Sequence, residues 1–157
     1  MTKNSRILIT IVVLSCIGAL ISLYLLWNHY TTGPTFCKIG GAVNCDLVNR
    51  GPYGEIFGFP VSAIGVLGYL LLGGLALLPL FLPTRQKEAR TALRVSATIA
   101  FLFSLWLLYL ELFVILAICP FCMASLLLIT VITTLVWTVD PPSDATQNGT
   151  VEKRLSS

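Results

Sequence analysis

The chain has 157 residues, of which 56% are hydrophobic and only 11% charged, against about 25% charged in an ordinary soluble domain. A net charge of +3, with no basic stripe interleaved with aromatics, excludes nucleic acid as a partner. The mean hydropathy of +0.88 makes the bilayer the solvent to consider.

No charge interrupts Ile7 to Trp27, a run that at about 1.5 Å per helical residue crosses the hydrocarbon layer. Lys3 and Arg6 precede it, as basic residues precede a signal peptide. The run exceeds a signal's apolar core, however, and no small-x-small cleavage site follows, so an uncleaved anchor is expected over 7–27. Cys16 reads as a small packing residue within that span. A second span is expected over 60–82, opened by Pro60 and closed by Pro79 and Pro83. Ser62, Gly65 and Gly68 recur along it at three-residue steps, which suits close approach of another helix. The apolar tract from Val95 to Val139 holds one charge, Glu111, and is too long for one span. It divides into spans over 95–117 and 120–139 with a turn near Cys119 and Pro120.

The expected fold is therefore an all-α integral membrane protein, a four-transmembrane-helix bundle with an outer loop carrying a cysteine pair. It occupies 1–140, and 141–157 forms a disordered cytosolic tail rich in Pro, Ser, Thr, Asn and Asp. Lys3, Arg6, Arg85, Lys87, Arg90, Arg94, Lys153 and Arg154 fall on one side of this topology, and only Lys38 and Arg50 on the other. The bias places both termini in the cytosol, and the loop 28–59 and the Cys119 turn outside. The Asn148-Gly149-Thr150 triplet is then on the wrong side for glycosylation. Trp27, Tyr30 and Trp137 suit the interfaces.

Cys37, Cys45, Cys119 and Cys122 all fall on the outer side, where thiols are kept oxidised. Cys119-Pro120-Phe121-Cys122 is a C-x-x-C at a helix start, with both thiols within one turn. Free N–H groups and the positive dipole end there stabilise a thiolate. Cys37 and Cys45 flank seven residues that include Gly40-Gly41, a segment that bends easily. A mobile dithiol and a fixed one at the membrane face suggest a relay by thiol–disulfide exchange, although four thiols also suffice for a zinc site. The sequence has no nucleotide-binding glycine motif and no C-x-x-C-H, so a membrane quinone is the simplest electron sink.

Cys37-x7-Cys45-Asp46, Tyr53, Ile56-Phe57-Gly58-Phe59-Pro60-Val61-Ser62, Gly65, Tyr69 and Cys119-Pro120-Phe121-Cys122 occur in that order. The set resembles the bacterial form of the vitamin K epoxide reductase family, from about Ile7 to Val139. That resemblance implies a four-helix bundle around a quinone pocket, reoxidising a thioredoxin-like protein that puts disulfides into secreted substrates. It makes Cys119 and Cys122 the pair beside the quinone (ubiquinone or menaquinone), and Cys37 and Cys45 the shuttle pair. Cys37 would meet the partner, Cys45 would exchange with Cys119, and Cys122 would face the quinone. Many relatives carry a serine about six residues after the second loop cysteine, where this chain has Gly51. With no thioredoxin domain fused here, the partner is expected to be a separate, DsbA-type protein.

Phe57, Phe121 and Tyr109 join Cys122 as candidate quinone-pocket residues. Glu111, two turns before Cys119, is a candidate proton relay, with snorkelling or a hydrogen bond as the plainer role. His29 reads as a solvated interfacial ring and Asp46 as a loop cap. The expected function is a thiol oxidase of a bacterial inner membrane, bathed in lipid, passing two electrons to a quinone. The alternatives are a DsbB-like quinone reductase, in which the order of the two cysteine pairs is reversed, true vitamin K epoxide reduction, and a zinc-holding structural subunit.

Overall fold

A computed structural model of the chain describes residues 3–31, 45–51, 53–56, 58–81 and 86–138. The expected tail, Pro83, the Gly40-Gly41 bend, Cys37 and Phe57 lie outside the described residues, as does the side chain of Asp46. Helix α1 (Lys3–Tyr30) leads to the short α2 (Cys45–Asn49) and to strands β1 (Glu55–Ile56) and β2 (Phe59–Pro60). The two strands pair antiparallel, with Glu55 opposite Pro60 and Ile56 opposite Phe59. Gly58 between them has φ +82°, a left-handed conformation that glycine adopts without strain. Helices α3 (Val61–Phe81) and α4 (Gln86–Tyr109) follow; α4 runs into a π-helical turn (Leu110–Ile115), and α5 (Pro120–Thr138) completes the bundle.

Four of these helical stretches are long and apolar enough to cross a membrane: Asn4–Tyr30, Val61–Phe81, Gln86–Ile115 and Pro120–Thr138. A helix satisfies its own backbone groups, which is why apolar sequence of this length takes that form in lipid. Helix α3 matches the expected second span and runs through Pro79 to Phe81. One boundary differs from expectation: helix α4 begins at Gln86, well before Val95, because Ala89, Leu93 and Ala97 are spaced four apart and bury one stripe, with the half-buried Arg90 and Arg94 beside it.

The main core joins Leu8 and Ile11 of α1, Tyr69, Leu72 and Ala76 of α3, Leu93 and Ala97 of α4, and Ile129, Ile132 and Val136 of α5. A smaller cluster of Leu25, Cys45 and Cys119 closes the opposite end. Leu20, Leu67, Leu70, Ile99 and Leu127 point outward, as lipid-facing side chains do. Cys16 is a free thiol on this outer surface, not a packing residue of the interior. The approach of α1 and α3 relies on small residues, since a Cβ on Gly18 would meet the Tyr69 ring at 2.3 Å and one on Gly65 would meet Ser22 Oγ at 2.8 Å. Gly68 differs from the expected stripe: nothing lies within 4 Å of where its Cβ would stand.

Helices α1, α3, α4 and α5 alternate in direction, so Arg6, Lys87, Arg90 and Arg94 gather at the end opposite Cys45 and Cys119. There the Arg94 guanidinium lies 5.7 Å from the Trp137 ring centre.

Candidate functional site

The site is assembled where α1 ends and α5 begins. The π-helical turn finishes at Leu116, whose φ of 53° and ψ of 32° are left-handed and break the helix. Four residues later Pro120 starts α5, in the first helical position that proline tolerates. Cys119 therefore stands in the N-cap position, its carbonyl accepting the Met123 N–H at 3.0 Å. Its thiol is completely buried. A hydrogen bond from the Cys122 side chain holds the Cys119 thiol below the usual thiol range, helped by the N–H groups of Cys122 and Phe121 and opposed by burial and the Glu111 charge. The Cys119 N–H donates to Glu111 Oε1, so the carboxyl, only 3% exposed, is anchored inside the bundle instead of snorkelling.

Cys45 opens α2 and is disulfide-bonded, with 2% of its surface exposed. Cys119 Sγ lies 3.0 Å from its Sγ. A disulfide at Cys45 presents an oxidised sulfur to the neighbouring thiol. Polar bonds seat α2 on the last turns of α1, where helix carbonyls lack partners of their own. Asn49 Nδ2 donates to the Leu25 carbonyl at 2.7 Å, and Arg50 Nε to that of Asn28 at 3.0 Å. His29 is not the solvated ring expected of it: Nδ1 pairs with the Asn49 carbonyl at 2.9 Å, and Nε2 lies 3.1 Å from Glu55 Oε1.

Cys122, one turn into α5, lines a cavity of about 500 Å³ walled mainly by leucine and isoleucine side chains of α3, α4 and α5. Glu111, Ser62 and Tyr69 supply polar groups to the same wall. Tyr69 is committed elsewhere, its O–H donating to the Ser125 carbonyl at 2.9 Å and lying 2.8 Å from Ser125 Oγ. Ser62, 6% exposed, has a buried hydroxyl with no hydrogen-bond partner. An orphaned donor on a wall that also presents leucine and isoleucine side chains is the complement of a flat apolar ring with a carbonyl oxygen. The space beside Gly68 enlarges the same chamber. Volume, lining and the orphaned hydroxyl thus fit a quinone ring.

Of the residues expected at the site, Cys119, Cys122 and Cys45 are brought together. Cys37 and Phe57 lie outside the described residues. Phe121 packs with the sulfur cluster and against Tyr24, ring centres 5.1 Å apart, and is not among the residues lining the cavity. Tyr109 is 56% exposed and stacks on Phe113, away from the cavity wall. Gly51 accepts the Gly54 N–H at 2.8 Å in a turn. Ser62 was passed over as a polar group because its sequence neighbours suggested helix packing; its position in the first turn of α3 was the available signal.

Among known families, the model of the vitamin K epoxide reductase family matches residues 9–137, most of the chain. The matched range takes in Cys45, Glu111, Cys119 and Cys122 together with the cavity they border.

Proposed function

The chain belongs to the vitamin K epoxide reductase family, and on that premise we propose that it is a thiol oxidase of a bacterial cell membrane. Membership carries membrane redox chemistry between thiols and quinones in general. The finer reading has the chain reoxidise a separate thioredoxin-like protein of the DsbA type and so support disulfide formation outside the cell. One observation carries it: Cys119 lies 3.0 Å from the disulfide-bonded Cys45, while Cys122 borders the cavity. One thiol faces the shuttle and the other faces the acceptor chamber.

In this reading the partner dithiol reduces the pair Cys37 and Cys45. The Cys45 thiolate attacks Sγ of Cys119 in a Cys119–Cys122 disulfide and releases Cys122 as thiolate. Cys37 then attacks Cys45, re-forms the shuttle disulfide and frees Cys119. The product has a Cys45 disulfide beside reduced Cys119 and Cys122, with the electron pair resting on the C-x-x-C, and a disulfide-bonded Cys45 next to free Cys119 and Cys122 supports this order. The hydrogen bond from Cys122 keeps Cys119 a good leaving group in this exchange. A quinone bound in the cavity supplies an acceptor for two electrons and two protons. Each 30 mV by which its potential exceeds that of the thiol pair favours transfer by about 1.4 kcal/mol. The basic residues gathered at the far end support placing the cysteine end outside.

Trapping tests the order. Cys37→Ser removes the thiol that resolves the exchange while leaving the Cys119–Cys122 disulfide to be attacked, so a Cys45–Cys119 bond should accumulate on non-reducing electrophoresis and be identified by mass spectrometry of the linked peptides. A Cys37–Cys119 bond trapped instead in Cys45→Ser overturns the assigned order, and absence of any trapped bond in both variants overturns the relay.

A further inference from the structure

The dithiol mechanism leaves a proton unassigned. Thiol–disulfide exchange leaves Cys119 as a thiolate, and when it enters the next step in that form beside a Cys122 thiol, oxidation of the pair releases two electrons but only one proton from sulfur. An acceptor that ends with two O–H bonds needs a second. Four described titratable side chains line the cavity: Tyr53, Tyr69, Glu111 and Cys122. Tyr69 already donates to Ser125, and Tyr53 stands half exposed at the outer margin. Glu111 remains, 3% exposed on the chamber wall, one turn from the break at Leu116.

The local structure sets this carboxyl against the backbone of Cys119. Glu111, at the start of the π-helical turn and in line with the buried stripe of Ala89, Leu93 and Ala97, is turned inward while its neighbours Leu112, Phe113 and Val114 face out. One carboxyl oxygen accepts the Cys119 N–H, which places the group against the backbone of the residue whose sulfur carries the charge. A carboxylate and a thiolate side by side at membrane depth repel in a poorly screening medium. One proton between them removes that cost.

We propose that Glu111 holds this proton while the pair is reduced and delivers it to the acceptor as the pair is oxidised. The step balances. A bond forms between Cys119 Sγ and Cys122 Sγ, and the Cys122 S–H and Glu111 O–H bonds break. The two protons and the two electrons pass to a quinone, the acceptor class of the function proposed above, on which this inference rests. The negative charge that began on Cys119 Sγ ends on the Glu111 carboxylate. The next exchange with Cys45 restores the reduced pair, and Glu111 takes its proton back from outer water as the charge returns to Cys119.

The test uses the full chain in detergent or nanodiscs, with Glu111→Gln as the main variant. Gln retains an oxygen for the Cys119 N–H but has no acidic proton. Infrared difference spectra between the dithiol and disulfide forms, taken without quinone, should show a protonated-carboxyl C=O band in the dithiol form that Glu111→Gln abolishes. Absence of that band in the unmutated protein overturns the proposal without any reference to turnover. In single-turnover mixing with a soluble short-chain quinone, Glu111→Gln should slow oxidation of the pair by about 10²-fold or more, the scale of a lost general acid. Its exchange between Cys119 and Cys45 should stay near the unmutated rate. Formic acid should restore part of the oxidation rate in Glu111→Ala. Equal slowing of exchange and oxidation, with no rescue, would make Glu111 a structural anchor and overturn the proposal. Failure of the unmutated dithiol to reduce any quinone would instead defeat the proposed function while the infrared result still stood.

Discussion

Replacing Gly18 with Ala should destabilise the bundle, and the structure gives the scale. A Cβ there would stand 2.3, 2.5 and 2.6 Å from three ring carbons of Tyr69, where carbon atoms normally rest about 3.5–4.0 Å apart. The ring has to retreat by about 1.2 Å or α1 has to move away from α3 by a similar distance. The ring is not free to retreat, since its hydroxyl is bound to Ser125 at 2.9 and 2.8 Å and Leu72 and Ala76 fill the layer beside it. Overpacking of this kind costs about 1–3 kcal/mol, and loosening the Ser125 bond adds about 1 kcal/mol. The better helix propensity of Ala returns about 1 kcal/mol, leaving a net loss of about 1–3 kcal/mol. Reversible unfolding in mixed micelles, followed by far-ultraviolet circular dichroism, measures it. The double variant with Tyr69→Leu removes the obstructing ring and should show a coupling of at least about 1 kcal/mol in a double-mutant cycle. A Gly18→Ala protein as stable as the parent, or additive behaviour with Tyr69→Leu, would refute the close α1–α3 contact.

Two further outcomes follow from the site. The Cys119 thiolate should persist to lower pH than an ordinary thiol, read by thiolate ultraviolet absorbance in a Cys16→Ala background, and Cys122→Ala should move that titration upward. By linkage, the depressed value stabilises the folded dithiol form above the unfolded thiol pKa, and the contribution is lost as pH falls through the folded value. Ser62→Ala should weaken binding of a soluble quinone by about fivefold, the value of one hydrogen bond, without destabilising the ligand-free protein, because its hydroxyl is buried without a partner there. Unchanged quinone affinity would remove Ser62 from the binding wall.

The four crossings and the helix start at Pro120 were legible because both depend on local features: long uncharged runs, and a cysteine followed by a proline at a turn. Which side of each helix faces inward was not. In lipid the outer surface is as apolar as the core, so the sequence of α3 carries no contrast between Leu72, which is buried, and Leu71, which is exposed. The same lack of contrast separates Tyr109, turned outward, from Tyr69, turned inward. Helix α4 is the exception: its first turns carry Lys87, Glu88, Arg90 and Arg94, a polar contrast against the buried Ala89, Leu93 and Ala97. Glu111 stood out as the one charge of its tract, but its hydrogen bond to Cys119 depends on a π-helical turn for which the residues Leu110 to Ile115 give no local signal.

A π-helical turn is an α-helix with a residue to spare, and a single residue added to a helix rotates everything beyond it by about 100°. At about 100° per residue, Glu111 falls on the same stripe as Ala89, Leu93 and Ala97, so the α-helical register before Leu110 already brings it inward. The spare residue acts beyond it, offsetting the chain that runs on to the left-handed Leu116 and so to Cys119. One helix thus carries its acid in line with its packing stripe, while the approach of the cysteine turn to that acid is set separately by the turn that follows.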